Sequence, residues 1–256
     1  MKLVIDLGNT STKIGIFNKS KLKKHIVIDG LISQKEFQKI ISSVTIESVI
    51  ISSVRSDSQK LENFIEKKFR TINLSATATS ATTTTTTTTT TSPLLLPFKN
   101  LYKTPATLGR DRIANAAAAA NLFPNKNVLI IDAGTCLKFD FVDEKSNYYG
   151  GSIAPGLLMR FKALHEYTGR LPLIQPKKSA KLIGQTTEDS IRSGVQQGMI
   201  NEVLETVSQY EELFPGLNII LTGGDWRLFV EHLKKSIFAD PFLTLKGLHY
   251  ILEYNT

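Results

Sequence analysis

Asp6, Gly8, Asn9, Thr10, Thr12 and Lys13 fall within eight consecutive residues, a set suited to gripping phosphate. The apolar run Leu3-Val4-Ile5 leads into Gly8, where the missing side chain exposes backbone N–H groups and lets an anion approach. Thr10, Thr12 and Lys13 add donors and positive charge, and Asp6 can hold a hydrated Mg²⁺ against phosphates. The Gly-x-x-x-x-Gly-Lys-Ser/Thr spacing of a Walker A loop is absent here. Taken alone, the same Asp, Gly and Asn would also suit an ordinary hairpin turn.

The pattern returns 126 residues later, where Val128-Leu129-Ile130-Ile131 ends at Asp132-Ala133-Gly134-Thr135 and the alternating Leu137, Phe139 and Phe141 follow. A third glycine turn, Thr222-Gly223-Gly224-Asp225, closes another apolar run. Recurrence at about half the chain length predicts duplicated domains facing one another. Both Asp-x-Gly turns would then line the cleft, with a nucleotide's phosphates on two of the three turns. The remaining cluster is Tyr102, Pro105 and Leu108-Gly109-Arg110-Asp111-Arg112. Flanking arginines would keep Asp111 ionised and able to accept a proton, although local sequence alone favours a plainer role as a helix N-terminal aspartate.

The elements that must position these residues follow from patterning. Residues 3–5, 46–54, 128–131 and 217–221 read as buried strands, and 14–17 and 137–141 as the second arms of hairpins. Helical spacing covers 61–69, 110–123 with its alanine run 116–120, and 187–210 with breaks at Gly194 and Gly198; residues 229–237 also read as helix. Interleaved strands and helices give an α/β class. Between them, residues 75–81 are compositionally simple and 82–91 are unbroken threonine, expected to form a solvated loop because the tract has no face to bury.

A length of 256 residues allows one large or two small domains, and 41% apolar with 21% charged residues excludes wholesale disorder. A net charge of +8 suits anionic ligands without choosing among them. The single cysteine, Cys136, excludes an internal disulfide framework and a thiolate-rich zinc site. Beside the phosphate turn it reads as a small packed residue. Met1 runs straight into the first strand with no secretion signal, and no apolar stretch reaches the roughly 20 residues of a membrane span. A cytoplasmic protein is expected.

These blocks together resemble type III pantothenate kinases, members of the superfamily of acetate and sugar kinases, Hsp70 and actin. Gly150-Gly151-Ser152-Ile153-Ala154-Pro155-Gly156, Thr168-Gly169-Arg170-Leu171-Pro172 and Ile183-Gly184-Gln185-Thr186-Thr187 with Ser193-Gly194 extend the likeness, in the family's order, over nearly the whole chain. The resemblance implies two duplicated ribonuclease H-like (actin-like ATPase) domains, taken as 1–118 and 119–256, with a cleft between them. It implies ATP-dependent phosphorylation of pantothenate, the first step towards coenzyme A. Asp6, Leu7, Gly8, Asn9, Thr10, Ser11, Thr12, Lys13 and Thr135 would bind ATP, with Asp6 near Mg²⁺. Asp111 would be the catalytic base, and Tyr102, Gly109, Arg110, Asp111, Arg112 and Thr187 would contact pantothenate. Asp132 would bind an activating potassium or ammonium ion, and a homodimer would complete the substrate pocket.

Two features depart from the family pattern. Lys138 stands where a hydroxyl residue is common, placing an extra positive charge beside Asp132, and the threonine tract replaces a short link before Tyr102. His165 reads as a partly buried helical histidine, and Trp226 either stacks on adenine or packs. A nucleic-acid-associated regulator on the same fold, or another small-molecule kinase, are the competing readings. Nucleic acid is not expected as a partner, because Lys19, Lys21, Lys23, Lys24, Lys67, Lys68, Lys177 and Lys178 are scattered without aromatic interleaving.

Overall fold

Leu3-Val4-Ile5 offers no polar face, so the strand it forms must be covered on both sides. In the computed structural model, which describes residues 1–74, 81–85, 88–92, 94–233 and 237–256, with backbone alone over 81–92, all three are fully buried in β1 (Lys2–Leu7). The chain groups into two compact units: Met1–Pro124, Ser146–Tyr148 and Leu243–Thr256 form one, Asn125–Lys145 and Tyr149–Phe242 the other.

In the first unit β1 is followed by β2 (Ser11–Asn18), β3 (Lys21–Asp29), α1 (Gln34–Ile41), β4 (Ser48–Ser53) and α2 (Gln59–Lys68). Then come β5 (Thr71–Leu74), β6 (Ala81–Thr85), β7 (Thr88–Ser92) and β8 (Lys99–Asn100). A 3-10 turn at Pro105–Thr107 introduces α3 (Arg110–Leu122). The sheet runs β3-β2-β1-β4-β5-β6-β7, with β1 antiparallel to β2 and parallel to β4. Leu3, Ile5, Ile14, Val49 and Ile51 pack on Phe37 of α1 and Ile65 of α2. A capping box starts α1: the Glu36 N–H donates to Ser33 Oγ at 3.2 Å and the Ser33 N–H to Glu36 Oε2 at 3.1 Å.

The threonine tract differs from the expected loop. β6 and β7 pair antiparallel, and β6 adds to the edge of β5; residues 75–80, 86 and 87 lie outside the described residues. Threonine's branched Cβ favours extended backbone, and an open sheet edge supplies hydrogen-bond partners that do not require an apolar face.

The second unit contains β9 (Val128–Ala133), β10 (Cys136–Val142), β11 (Asn147–Pro155), α4 (Leu157–Glu166), α5 (Thr187–Arg192), α6 (Gly198–Leu213), β12 (Asn218–Thr222), α7 (Arg227–Val230) and β13 (Ile237–Ala239). The first two residues of β11, Asn147 and Tyr148, belong to the first unit, where they pair with β8. Strand order β13-β12-β9-β10-β11 repeats β5-β4-β1-β2-β3 strand for strand: each unit has a hairpin whose first arm lies parallel to a later strand, β4 in the first unit and β12 in the second. Leu129, Ile131 and Phe139 pack on Met199 and Val203 of α6.

Residues 187–210 are helical as the spacing predicts, but the glycines do not break the helix. A π-type segment at Ser193–Gln197 carries α5 into α6, one extra residue per turn being absorbed where Gly194 adds no side chain. The expected helix over 229–237 is corrected: α7 ends at Val230, and Ile237 begins β13, taking the open edge of β12; residues 234–236 lie outside the described residues.

After Phe242 the chain returns to the first unit as α8 (Leu243–Tyr254), which packs on the buried alanines of α3. The architecture is thus α/β with two mixed sheets. Among the described residues, no helix is long and apolar enough to cross a membrane.

Candidate functional site

In the first unit, β1 and β2 pair as far as Leu7 opposite Thr12, leaving residues 8–11 as the turn. The Gly8 N–H donates to Ser11 O at 3.1 Å, while the Asn9 and Thr10 side chains are exposed. Asp6 is buried and its Oδ1 accepts from Ser52 Oγ at 3.2 Å; Lys13 lies opposite it in register. Leu7 is a core side chain, so only its backbone faces the turn. Thr12 is also fully buried: its hydroxyl donates to Gly30 O at 2.7 Å and accepts from the Ile32 N–H at 3.3 Å. It braces β2 against the turn after β3. The alternation Thr12, Ile14, Ile16 carries that signal in sequence.

Arg55 was not singled out from sequence. Its Nη1 donates to Asn9 O at 2.9 Å and Gly8 O at 3.4 Å, while Nε and Nη2 each hold Asp57 at 2.8 Å. Side-chain pairing with Asp57 raises its pKa. The missed signal lies in the duplication, since the residues after β4 occupy the place that Thr222-Gly223-Gly224-Asp225 fills after β12, without a glycine to mark it.

Asp111 lies in the first turn of α3, half-buried, with its Oδ1 accepting the Arg112 N–H at 2.9 Å. Arg112 is buried, and its guanidinium carbon stands 5.4 Å from the Tyr102 ring centre, so the structure brings these two residues together. Burial pulls the Arg110 guanidinium below its ordinary range, opposed by the charge of Glu62. Arg110 Nε is buried without a hydrogen-bond partner. Glu62, which sequence reading passed over, is itself buried between Ser58 and the Asn73 amide.

In the second unit the β9–β10 turn is packed by two further loops. A Cβ on Gly156 would stand 2.2 Å from Gly134 O. Gly223 has φ +92°, and a Cβ there would stand 2.2 Å from Ala133 O, so glycine is required on both counts. The Asp225 N–H donates to Ala133 O at 2.8 Å and the Gly156 N–H to Thr135 O at 3.2 Å. The turns at 132–135, 150–156 and 222–225 therefore converge. Thr135 is exposed at their surface, and burial pushes the Asp225 carboxyl up. Asp132 is buried and paired with Lys138, Nζ to Oδ2 at 2.8 Å. Cys136 is half-buried with a free thiol. Trp226 packs against the core with the Arg227 guanidinium over its ring.

Thr187 opens α5, where the hydroxyl of the preceding Thr186 accepts the Asp189 N–H at 3.1 Å. It is exposed beside Gly184, Gln185 and Ser190 on the wall of a depression of about 520 Å³. His165 is exposed rather than partly buried, its Nδ1 2.8 Å from Leu171 O, because the end of α4 carries it past the core. A larger cavity of about 800 Å³ in the first unit, lined by Lys2, Phe17 and His249, holds none of the expected site residues. Among the described residues no group of three or more His, Cys, Asp or Glu side chains is placed to hold a metal ion.

Comparison with known proteins gives a consistent answer. The type III pantothenate kinase family profile matches residues 2–209. A type III pantothenate kinase of Christiangramia forsetii is 44% identical, with all of this chain and 99% of the relative aligned. Among solved structures, a conserved Baf-family protein from Campylobacter jejuni superposes with a TM-score of 0.62 at 19% identity, covering 99% of this chain and 98% of the other. The activator of 2-hydroxyisocaproyl-CoA dehydratase from Clostridium difficile, solved with bound ADPNP, gives 0.51 at 11% identity, covering 99% and 95%. These structures share the actin-like ATPase fold.

Proposed function

The chain belongs to the type III pantothenate kinase family, and we propose that it transfers the γ-phosphoryl group of ATP to pantothenate through the residues assembled above. The observation carrying this reading is the family match along the chain together with Asp111, Arg112 and Tyr102 gathered at one helix start. The product is 4′-phosphopantothenate, made in the cytoplasm as the first step towards coenzyme A.

Phosphoryl transfer asks the protein for positioning and charge neutralisation more than covalent chemistry. Backbone N–H groups of the turn beyond Gly8, with Lys13, grip the phosphates, Arg55 holds the loop's carbonyls, and Thr135 is a further ATP contact. Thr12 supports the loop from below. Asp6, a buried carboxylate that accepts from Ser52 Oγ, would hold a hydrated Mg²⁺ arriving with the triphosphate; when bound, that ion would neutralise charge on the transferred group. Asp111 accepts the proton of the pantothenate hydroxyl as its oxygen bonds to the γ-phosphorus, the bond to the bridging oxygen breaks and ADP leaves. The N-terminus of α3 favours the ionised carboxylate that this needs. Arg112, pre-oriented on Tyr102, holds the pantothenate carboxylate by a two-pronged hydrogen bond, with Gly109 and Arg110 beside it and Thr187 as a further contact.

The protein acts as a homodimer. Leu182 and Ile183, next to the Thr187 wall, and Tyr167 are 77%, 76% and 86% exposed, apolar surface that a second copy would cover.

A coupled assay of ADP release tests the activity. ADP formation that requires pantothenate, with a phosphate monoester in the product by ³¹P NMR, is expected; ADP release indifferent to pantothenate would overturn the reading.

A further inference from the structure

The family resemblance places an activating potassium or ammonium ion at Asp132, and the residues here do not fit one. Lys138 lies directly opposite Asp132 in the β9–β10 ladder, so the hairpin itself aims the lysine at the carboxylate. Its Nζ stands 2.8 Å from Asp132 Oδ2, and the two side chains are only 14% and 12% exposed. A second monovalent cation at that carboxylate would sit against a like charge with little water to screen it. A charged lysine also offers no lone pair to coordinate a metal ion.

We propose that the Lys138 ammonium takes the place of the activating cation, making the enzyme indifferent to potassium and ammonium. A lysine head is an alkylammonium on a tether, chemically close to the free ammonium ion it replaces. Held by its own strand, it is present at high effective concentration whatever the salt. Lys138 acts through Asp132 and the turn at 132–135, which makes it a positioning residue. This inference rests on the kinase reading.

The experiment compares the wild-type protein with Lys138→Thr and Lys138→Met, each transferred into tetramethylammonium chloride and then titrated with potassium chloride at constant ionic strength. Turnover of pantothenate and the thermal midpoint are both read. Wild-type turnover is expected to change by less than about twofold, whereas both variants should lose turnover and regain it with potassium by about ten- to a hundredfold, the scale of one charge-assisted contact. Potassium should raise the variants' midpoint and leave the wild type's unchanged. Wild-type activation by potassium comparable to the variants' would overturn the proposal, as would variants that stay inactive in every salt or stay fully active without potassium. If no protein turns over pantothenate in any salt, the kinase reading fails, and the midpoints still decide whether Lys138 excludes the ion.

Discussion

Gly109 and Asp111 fit together because residue 109 has no side chain: a Cβ there would stand 2.6 Å from Asp111 Oδ1. The atom in the way is the end of a flexible side chain, so Gly109→Ala should swing the carboxylate aside without disrupting α3. Displacement of a reacting group by about 1 Å can lower turnover about a hundredfold. We expect kcat to fall towards that limit with the thermal midpoint nearly unchanged, read by steady-state kinetics beside thermal denaturation. Unaltered kcat would mean that the position of Asp111 is immaterial.

Asp111→Asn keeps the shape and removes the base. Turnover should fall by about 10²–10⁴-fold, the usual contribution of a positioned general base, with ATP affinity by titration close to wild type. A variant with near-normal kcat would remove Asp111 from the proposed mechanism.

The hairpins and glycine turns were legible because their signals are local: apolar runs give strands, and Gly8, Gly134 and Gly223 mark their ends. Duplication extended that reading from the first hairpin to the second, while the order of strands in the sheets was not legible. Contacts between distant segments were not legible. Gly247 of α8 lies so close to α3 that a Cβ would stand 1.8 Å from Ala114 O, and the alanines at 116–119 are buried in the helix that α8 packs on; nothing near either residue announces it. Arg55 was missed because its role is to hold carbonyls in another loop. In the threonine tract β-propensity prevailed over the missing alternation once the β5 edge was available.

Thr12 separates a brace from a ligand contact. Thr12→Val leaves Gly30 O and the Ile32 N–H without the hydroxyl they share, at a cost of about 1–3 kcal/mol for buried groups losing their partner. The denaturant midpoint should fall accordingly while the KM for ATP stays within about twofold, since a hydroxyl engaged by Gly30 O and the Ile32 N–H removes no binding interaction when lost. A large rise in KM with unchanged stability would instead place the hydroxyl on the nucleotide.

His249 gives the fold a pH dependence of its own. It is buried in α8, stacked on Phe17 with ring centres 4.0 Å apart, and its Nε2 lies 3.2 Å from Glu253 Oε1. Burial holds its pKa below the ordinary 6.5, with the Glu253 charge opposing and the Lys2 charge reinforcing the shift. Between that lowered value and 6.5 the unfolded chain binds a proton that the folded chain refuses, so stability rises with pH across this window and is lost as pH falls through it. The thermal midpoint of the wild type should therefore drop as pH falls below about 6.5. His249→Gln, which cannot titrate, should show a shallower drop over the same range even if its midpoint at neutral pH is lower. Equal slopes for the two proteins would assign the acid sensitivity to the carboxylates instead.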